Sequence, residues 1–260
     1  MVKERDLLRA RGVFIAEGSL VVERLLSPCC RFPVRSLLVL DTRAERFLPL
    51  AEARGGGFPV FVASRAVMDE IVGFRFHQGC LAVGEIGAEP ALESVLDSLP
   101  PSPALVVLED LVDLDNVGSV FRNAAGLGAD AVLLSPRCAD PLYRKSIRTS
   151  MGHALLLPFA RIGRWPDGLA DLRARGVAVL ALTPGEGAEP IGKVARRLAG
   201  MSPRPGMALL LGTEGDGLSR EAMAEADVRV RIPMAAGVDS INIATACAVA
   251  LHRLARPDEE

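Results

Sequence analysis

The chain has little lysine, little histidine and few aromatic rings: three lysines, three histidines, one tryptophan and one tyrosine in 260 residues. So few histidines leave little from which to build a metal centre. The five cysteines (Cys29, Cys30, Cys80, Cys138 and Cys247) are odd in number and include no CxxC pair. That spacing suits neither a disulfide framework nor a zinc site, and it points to a reducing cytoplasm. No apolar run reaches the roughly 18 to 20 residues of a membrane span. The opening MVKERDLLRARG is charged with no apolar core behind it, so a secretory signal is not expected. A cytoplasmic protein with neither metal nor membrane partner is the expectation.

What is present is globular. Half of the residues are hydrophobic and 24% are charged, in a chain long enough for one large domain or two of medium size. The net charge of −2 gives no sign of a polyanionic partner, but phosphate recognition depends on where cations sit rather than on their sum. Nearly every basic side chain is arginine, whose planar fork suits phosphate. A genome biased towards arginine codons would produce the same excess.

Residues 1–88 alternate between strand and helix patterns. Segments 14–16, 36–40, 59–63 and 80–86 are apolar and strand-like, while 17–26, 42–54 and 64–72 have helical spacing. Gly55-Gly56-Gly57 closes the second of these helices and Ser64 is placed to cap the third. Residues 89–103 end in Leu99-Pro100-Pro101-Ser102-Pro103, which can neither continue a helix nor join a sheet, and read as a linker. From 104 to 260, apolar runs at 104–108, 131–134, 155–159, 177–182, 207–211 and 228–232 alternate with helical patterns. Those include 116–127, a basic stretch near 140–150 and a last helix at 240–254. This is the pattern of an α/β domain whose parallel sheet is covered on both faces.

Three segments at strand ends could carry chemistry, since ligands of open α/β sheets bind at that edge. The first is Asn116-Val117-Gly118 with Arg122 further along, Asn116 standing where a helix N-cap is expected. The second, Gly212-Thr213-Glu214-Gly215-Asp216-Gly217-Leu218, follows an apolar run. Its glycines let backbone amides face a ligand, yet its carboxylates would repel a pyrophosphate. The third is Ile232-Pro233-Met234 followed by Ser240-Ile241-Asn242, with Ser240 the expected cap of the last helix. Singly, each also reads as a capped helix or a plain turn. Gly126-Leu127-Gly128 follows a helix, not a strand, which is the wrong context for a dinucleotide fingerprint.

Taken in order, NxGxxxR, then GxExxGL after a strand, then IPM with SxN on a C-terminal helix resemble the signature motifs of the SpoU (TrmH-like) RNA 2′-O-ribose methyltransferases of the SPOUT superfamily. Segment 145–154 is similar to that family's RxSxGA region. Residues 14–18 and 77–79 resemble a ribosomal-protein-like substrate domain found in many members. Ala244 stands where many relatives carry a second serine. The resemblance implies a C-terminal α/β knot, a parallel sheet flanked by helices and threaded as a trefoil, behind a small RNA substrate-binding domain. It also implies a homodimer through the knotted domain and S-adenosylmethionine as methyl donor.

Roles follow by motif. Arg122 would be the catalytic arginine, raising the acidity of the ribose hydroxyl together with a substrate phosphate, because a guanidinium is a poor base. Asn116 and Glu214 would position it and the substrate, and Ser240 and Asn242 would hold donor and ribose. Donor contacts would come from Thr183, Pro184, Leu211, Gly212, Ile232, Met234, Ser240, Ile241 and Asn242, largely through backbone. Arg144, Lys145 and Arg148 would track RNA phosphates, and could equally be a solvated helix face. With one tryptophan and one tyrosine, stacking on bases is not expected, so shape and phosphate contacts would dominate. The substrate domain favours ribosomal over transfer RNA. Two other readings stay open: a non-catalytic RNA-binding or ribosome-assembly factor on the same scaffold, and an NAD-binding oxidoreductase, which the lack of a dinucleotide fingerprint opposes.

Overall fold

The computed structural model describes residues 4–73 and 75–255, which pack as two units. The first takes the chain up to Glu89 together with Asp140–Leu156; the second takes Pro90–Ala139 and the chain from Leu157 onward.

In the first unit, α1 (Glu4–Arg11), β1 (Val13–Glu17), α2 (Ser19–Leu26), β2 (Val34–Leu40), α3 (Ala44–Ala53), β3 (Val60–Ala63), α4 (Arg65–Val72) and β4 (Cys80–Glu85) follow one another. The sheet runs β1-β4-β2-β3, with β4 antiparallel to both neighbours and β2 parallel to β3. Gly84 on β4 lies against the Phe14 ring, where an added Cβ would stand 2.2 Å from a ring carbon. Only glycine lets that aromatic seat itself across the strand pair.

The second unit begins with α5 (Leu92–Asp97), β5 (Ala104–Leu108), α6 (Leu114–Gly126) and β6 (Ala131–Leu134). The chain then returns to the first unit for α7 (Arg144–Thr149). Here Arg24 donates to the Met151 carbonyl, and the Cys30 thiol reaches the Leu155 carbonyl at 3.5 Å. This differs from the expected ranges of 1–88, 89–103 and 104–260, which left 140–156 with the C-terminal domain. A short basic helix has no periodicity that says which unit it packs on.

The remaining elements are β7 (Phe159–Arg161), α8 (Leu169–Ala174), β8 (Val177–Leu182), β9 (Glu189–Pro190), α9 (Ile191–Ala199), β10 (Gly206–Leu211), α10 (Arg220–Ala224), β11 (Val228–Arg231) and α11 (Ile243–Ala255). Seven parallel strands run in the order β7-β6-β5-β10-β8-β11-β9. One face buries Leu105, Val107, Leu133, Val179 and Leu210 with residues of α5, α8 and α10. The alternate set (Val106, Leu108, Leu209 and Leu211) is buried too, and α11 packs against α6, α9 and β10. Burial on both faces explains why these strands read as continuous apolar runs. Each fully buried Leu or Val contributes about 1.5–3 kcal/mol.

The strand expected at 155–159 starts later. His153–Leu155 is a 3-10 turn, and Pro158 has no amide N–H to donate; its carbonyl accepts from Val132 at 2.9 Å and pairing follows from Phe159. Helix α9 and the two-residue β9 are additions to the sequence reading. The order of strands reverses between β5 and β10, so the loops after β5, β8, β10 and β11 gather around a switch point, the usual ligand edge of such sheets.

The cysteines are all free thiols, Cys29 exposed and the other four buried. Burial alone pushes the Cys247 thiol up to about 12. A native thiol titration at pH 8 should therefore count one fast thiol, the others reacting only on unfolding; two or more fast thiols would contradict this packing.

Candidate active site

Three turns meet through one asparagine. Asp113, not Asn116, caps α6: its carboxylate accepts from the Asn116 amide at 2.8 Å. Relieved of capping, the Asn116 side chain is buried and its Oδ1 accepts from Asn242 Nδ2 at 2.9 Å. The same Nδ2 donates to Glu214 Oε1 at 2.8 Å. Asn242 Oδ1 accepts the amides of Ala244 and Thr245 at 3.0 and 3.3 Å, so Asn242 is the cap of α11. Ser240, expected in that role, is exposed two residues upstream, and the helix starts at Ile243 rather than 240. Asn123 Nδ2 also donates to the Ala244 carbonyl at 2.7 Å and ties α6 to α11.

Beside this junction lies a cavity of about 560 Å³. Leu182 to Gly185 wall it from the end of β8, residues 211–218 from the end of β10, and Ile232, Met234 and 239–243 from the segment after β11. Thr183, Pro184, Leu211, Gly212, Ile232, Met234, Ser240, Ile241 and Asn242 are all in this lining. Glu214, Asp216 and Asp239 line it as well, and among the described residues no arginine, lysine or histidine does. A pocket with carboxylates and no cation favours a positively charged ligand over a phosphate-rich one.

The loop after β10 folds tightly on itself. Thr213 and Gly217 exchange backbone hydrogen bonds of 3.1 and 3.2 Å, Gly215 and Gly217 have φ of 94° and 71°, and a Cβ on Gly212 would stand 2.2 Å from the Gly217 carbonyl. Backbone meets backbone there, so nothing can yield cheaply. Gly212→Ala should cost about 1–3 kcal/mol of stability as an overpacked site and weaken ligand binding at this wall at least tenfold. A melting curve and ligand titration indistinguishable from the parent would refute the close approach.

Two acidic residues at the end of β5, outside the three sequence segments, also belong to this edge. Glu109 is buried and satisfied by three donors: Trp165 Nε1 at 2.8 Å, Ser219 Oγ at 2.6 Å and the Ser219 amide at 2.8 Å. Ser219 caps α10, so Glu109 anchors the far end of the β10 loop to β5. A carboxylate directly after a buried parallel strand was the available signal. Asp110 accepts from Ser135 Oγ at 2.8 Å and from Arg137 Nε at 3.0 Å. The Arg137 guanidinium holds the Asp110 carboxyl below the usual carboxylate range against the upward push of partial burial, with Ser135 helping. The pair is therefore complete above the ordinary carboxylate range and is lost only as pH falls through that lowered value.

The sequence model of the SpoU rRNA Methylase family matches residues 103–252. The chain belongs to the SpoU rRNA methylase family. Uncharacterized tRNA/rRNA methyltransferases of Mycobacterium bovis and Mycobacterium tuberculosis are 43% identical over 251 residues, 96% of this chain and 83% of each relative. An AdoMet-bound rRNA methyltransferase from Sinorhizobium meliloti superposes with a TM-score of 0.78 at 26% identity, covering 98% of this chain and 92% of that one. The SpoU methyltransferase AviRb of Streptomyces viridochromogenes, in complex with AdoMet, shares the fold with a TM-score of 0.75 at 24% identity, covering 98% and 94%.

Within this SpoU fold the other candidate residues are spread out. Arg122 is exposed on α6 and is absent from the cavity lining. Lying six residues beyond Asn116, it points about 120° away around the helix. Arg144 Nε donates to Glu17 Oε2 at 2.6 Å, and Glu17 is buried, so this arginine is engaged inside the first unit. Lys145 and Arg148 are exposed on α7. Among the described residues no group of three His, Cys, Asp or Glu side chains could hold a metal ion, and no helix is long and apolar enough to cross a membrane.

Proposed function

We propose that this SpoU-family protein transfers a methyl group from S-adenosylmethionine to a ribose 2′-hydroxyl in structured RNA, ribosomal RNA before transfer RNA, in the cytoplasm. The observation that carries the reading is the Asn116–Asn242–Glu214 junction at the mouth of a cavity lined, among the described residues, by carboxylates and no cation. The residues present fit the donor. Backbone groups of Thr183-Pro184, Leu211-Gly212 and Ile232 to Met234 suit an adenine edge and a methionine tail. Leu182, Leu218, Met223 and Ile241 supply apolar wall, and Glu214, Asp216 and Asp239 complement the positive charge. The donor supplies an activated methyl group when bound.

The chain's own task is alignment and charge. Holding the acceptor oxygen in line can supply about 7–11 kcal/mol of barrier reduction in ideal cases. Asn242 is fixed by four hydrogen bonds, so the edge it presents is set before any ligand arrives. Arg122 would lower the cost of removing the hydroxyl proton, acting with a substrate phosphate. The family resemblance implies a homodimer through the knotted domain with the arginine lent to the neighbouring site, and the place of Arg122 outside its own chain's cavity suits that arrangement. The placing of β10 between β5 and β8, with α11 then packing on α6, is compatible with a trefoil-threaded C-terminus. Lys145, Arg148 and Arg144 remain the proposed phosphate contacts in the 140–156 segment, Arg144 with its Nε on Glu17.

The test uses total RNA from a strain lacking this protein, incubated with protein and labelled S-adenosylmethionine. Label in one ribosomal RNA species is expected. RNA binding without any transfer would replace the reading with a ribosome-assembly role. Calorimetric binding of NAD but not of S-adenosylmethionine would replace it with redox chemistry.

A further inference from the structure

A second recess, of about 420 Å³, opens at the same sheet edge. It is lined by Glu109, Asp110, Val112 and Arg137, and by positions 213 and 216–219 of the loop that also walls the first cavity. The two spaces therefore share one thin partition.

Arg137 is the cation of this recess. Its side chain is 81% exposed, yet it is not loose: Nε donates to Asp110 Oδ2 at 3.0 Å and Nη2 donates to the same oxygen. Asp110 Oδ1 accepts from the fully buried Ser135 hydroxyl at 2.8 Å, and Ser135 Oγ accepts the amide of Asp110 at 2.8 Å. Asp110 holds this pose at φ 53°, in the left-handed region that aspartate enters more readily than most residues with a side chain. A plain surface ion pair needs no buried serine, and here Ser135 fixes the carboxylate that in turn orients Arg137. A guanidinium has five N–H donors; two are spent on Asp110, and the remaining three are available in a fixed orientation.

We propose that Arg137 binds a backbone phosphate of the RNA strand that enters beside the donor cavity, with Asp110 and Ser135 as positioning residues. The proposal rests on the methyltransferase reading above and adds to it a phosphate site on the chain that owns the cavity. Among the described residues the first cavity has no cation in its lining, so the strand approaching it finds its countercharge outside that lining, and Arg137 lines the recess across the shared loop. Pre-orientation by Asp110 lowers the entropy lost when the phosphate is gripped.

The test is anisotropy of a short fluorescent RNA stem-loop with the full chain over a range of salt concentrations, because a phosphate contact is independent of sequence. Arg137→Ala is expected to weaken binding about three- to tenfold at low salt and to lower the slope of log K against log salt by about one. S-adenosylmethionine binding by calorimetry and the melting temperature should stay at parental values. Arg137→Lys should keep the slope, and Asp110→Asn should keep the slope while losing part of the affinity. Parental affinity and slope in Arg137→Ala overturn the proposal and leave the methyltransferase reading standing. Loss of donor binding or of folding in Arg137→Ala assigns the pair a structural role and also overturns it. A parent chain that binds the donor but no RNA at low salt overturns both.

Discussion

Arg122→Ala is expected to remove methyl transfer, by at least the 10²–10³-fold typical of deleting one preorganised electrostatic group, while S-adenosylmethionine binding stays at its parental value. The split follows from position. Arg122 is exposed on α6, away from the cavity lining, so its loss takes nothing from the donor's walls. Full activity in the variant would remove Arg122 from the reaction. Mixing adds a sharper result. If the arginine serves the neighbouring subunit, combining Arg122→Ala with Asn242→Ala should restore part of the activity, since one site of the mixed dimer then holds both residues. If it serves its own chain, every site in the mixture lacks one of them and the mixture stays inactive.

Asn242→Ala should damage both binding and stability. The variant loses the cap of α11, worth about 1 kcal/mol, and strands the buried Asn116 oxygen, at about 1–3 kcal/mol for an unsatisfied buried group. A melting temperature lower by several degrees is expected. Glu214 also loses the donor that holds it at 2.8 Å, so the β10 loop is released from the α11 end of the cavity. Donor affinity should fall tenfold or more. Asn242→Asp separates the two effects: it keeps an oxygen for the Ala244 and Thr245 amides but faces Glu214 with a second carboxylate. That variant should regain the capping share of the stability, about 1 kcal/mol, and little of the binding. A parental titration and rate in Asn242→Ala would take Asn242 out of the site.

The convergence of three distant turns was legible in the sequence because each follows a strand and the strands are parallel. The site's hydrogen bonding was not. Asn116 and Ser240 both look like caps, yet Asp113 and Asn242 do the capping; a polar residue near a helix start fits the role at several positions, and only backbone geometry chooses among them. The choice matters functionally, since Asn116 is available to Asn242 only because Asp113 holds its amide. Arg144 read as a phosphate contact because its neighbours in sequence are basic; its partner Glu17 lies 127 residues away. Glu109 and Asp110 are hard to single out in the sequence for the same reason. Their partners Trp165, Ser219, Ser135 and Arg137 arrive from three other segments, and no spacing rule connects them.

The chemistry of the product tests the central claim most directly. A methylated 2′-oxygen cannot attack the adjacent phosphodiester, so alkali leaves that linkage intact. RNA labelled by this protein and the methyl donor, then hydrolysed in alkali, should carry its label in resistant dinucleotides. Label released entirely in mononucleotides would mean a base was methylated, and the account of a ribose hydroxyl poised at the Asn116–Asn242–Glu214 junction would be contradicted.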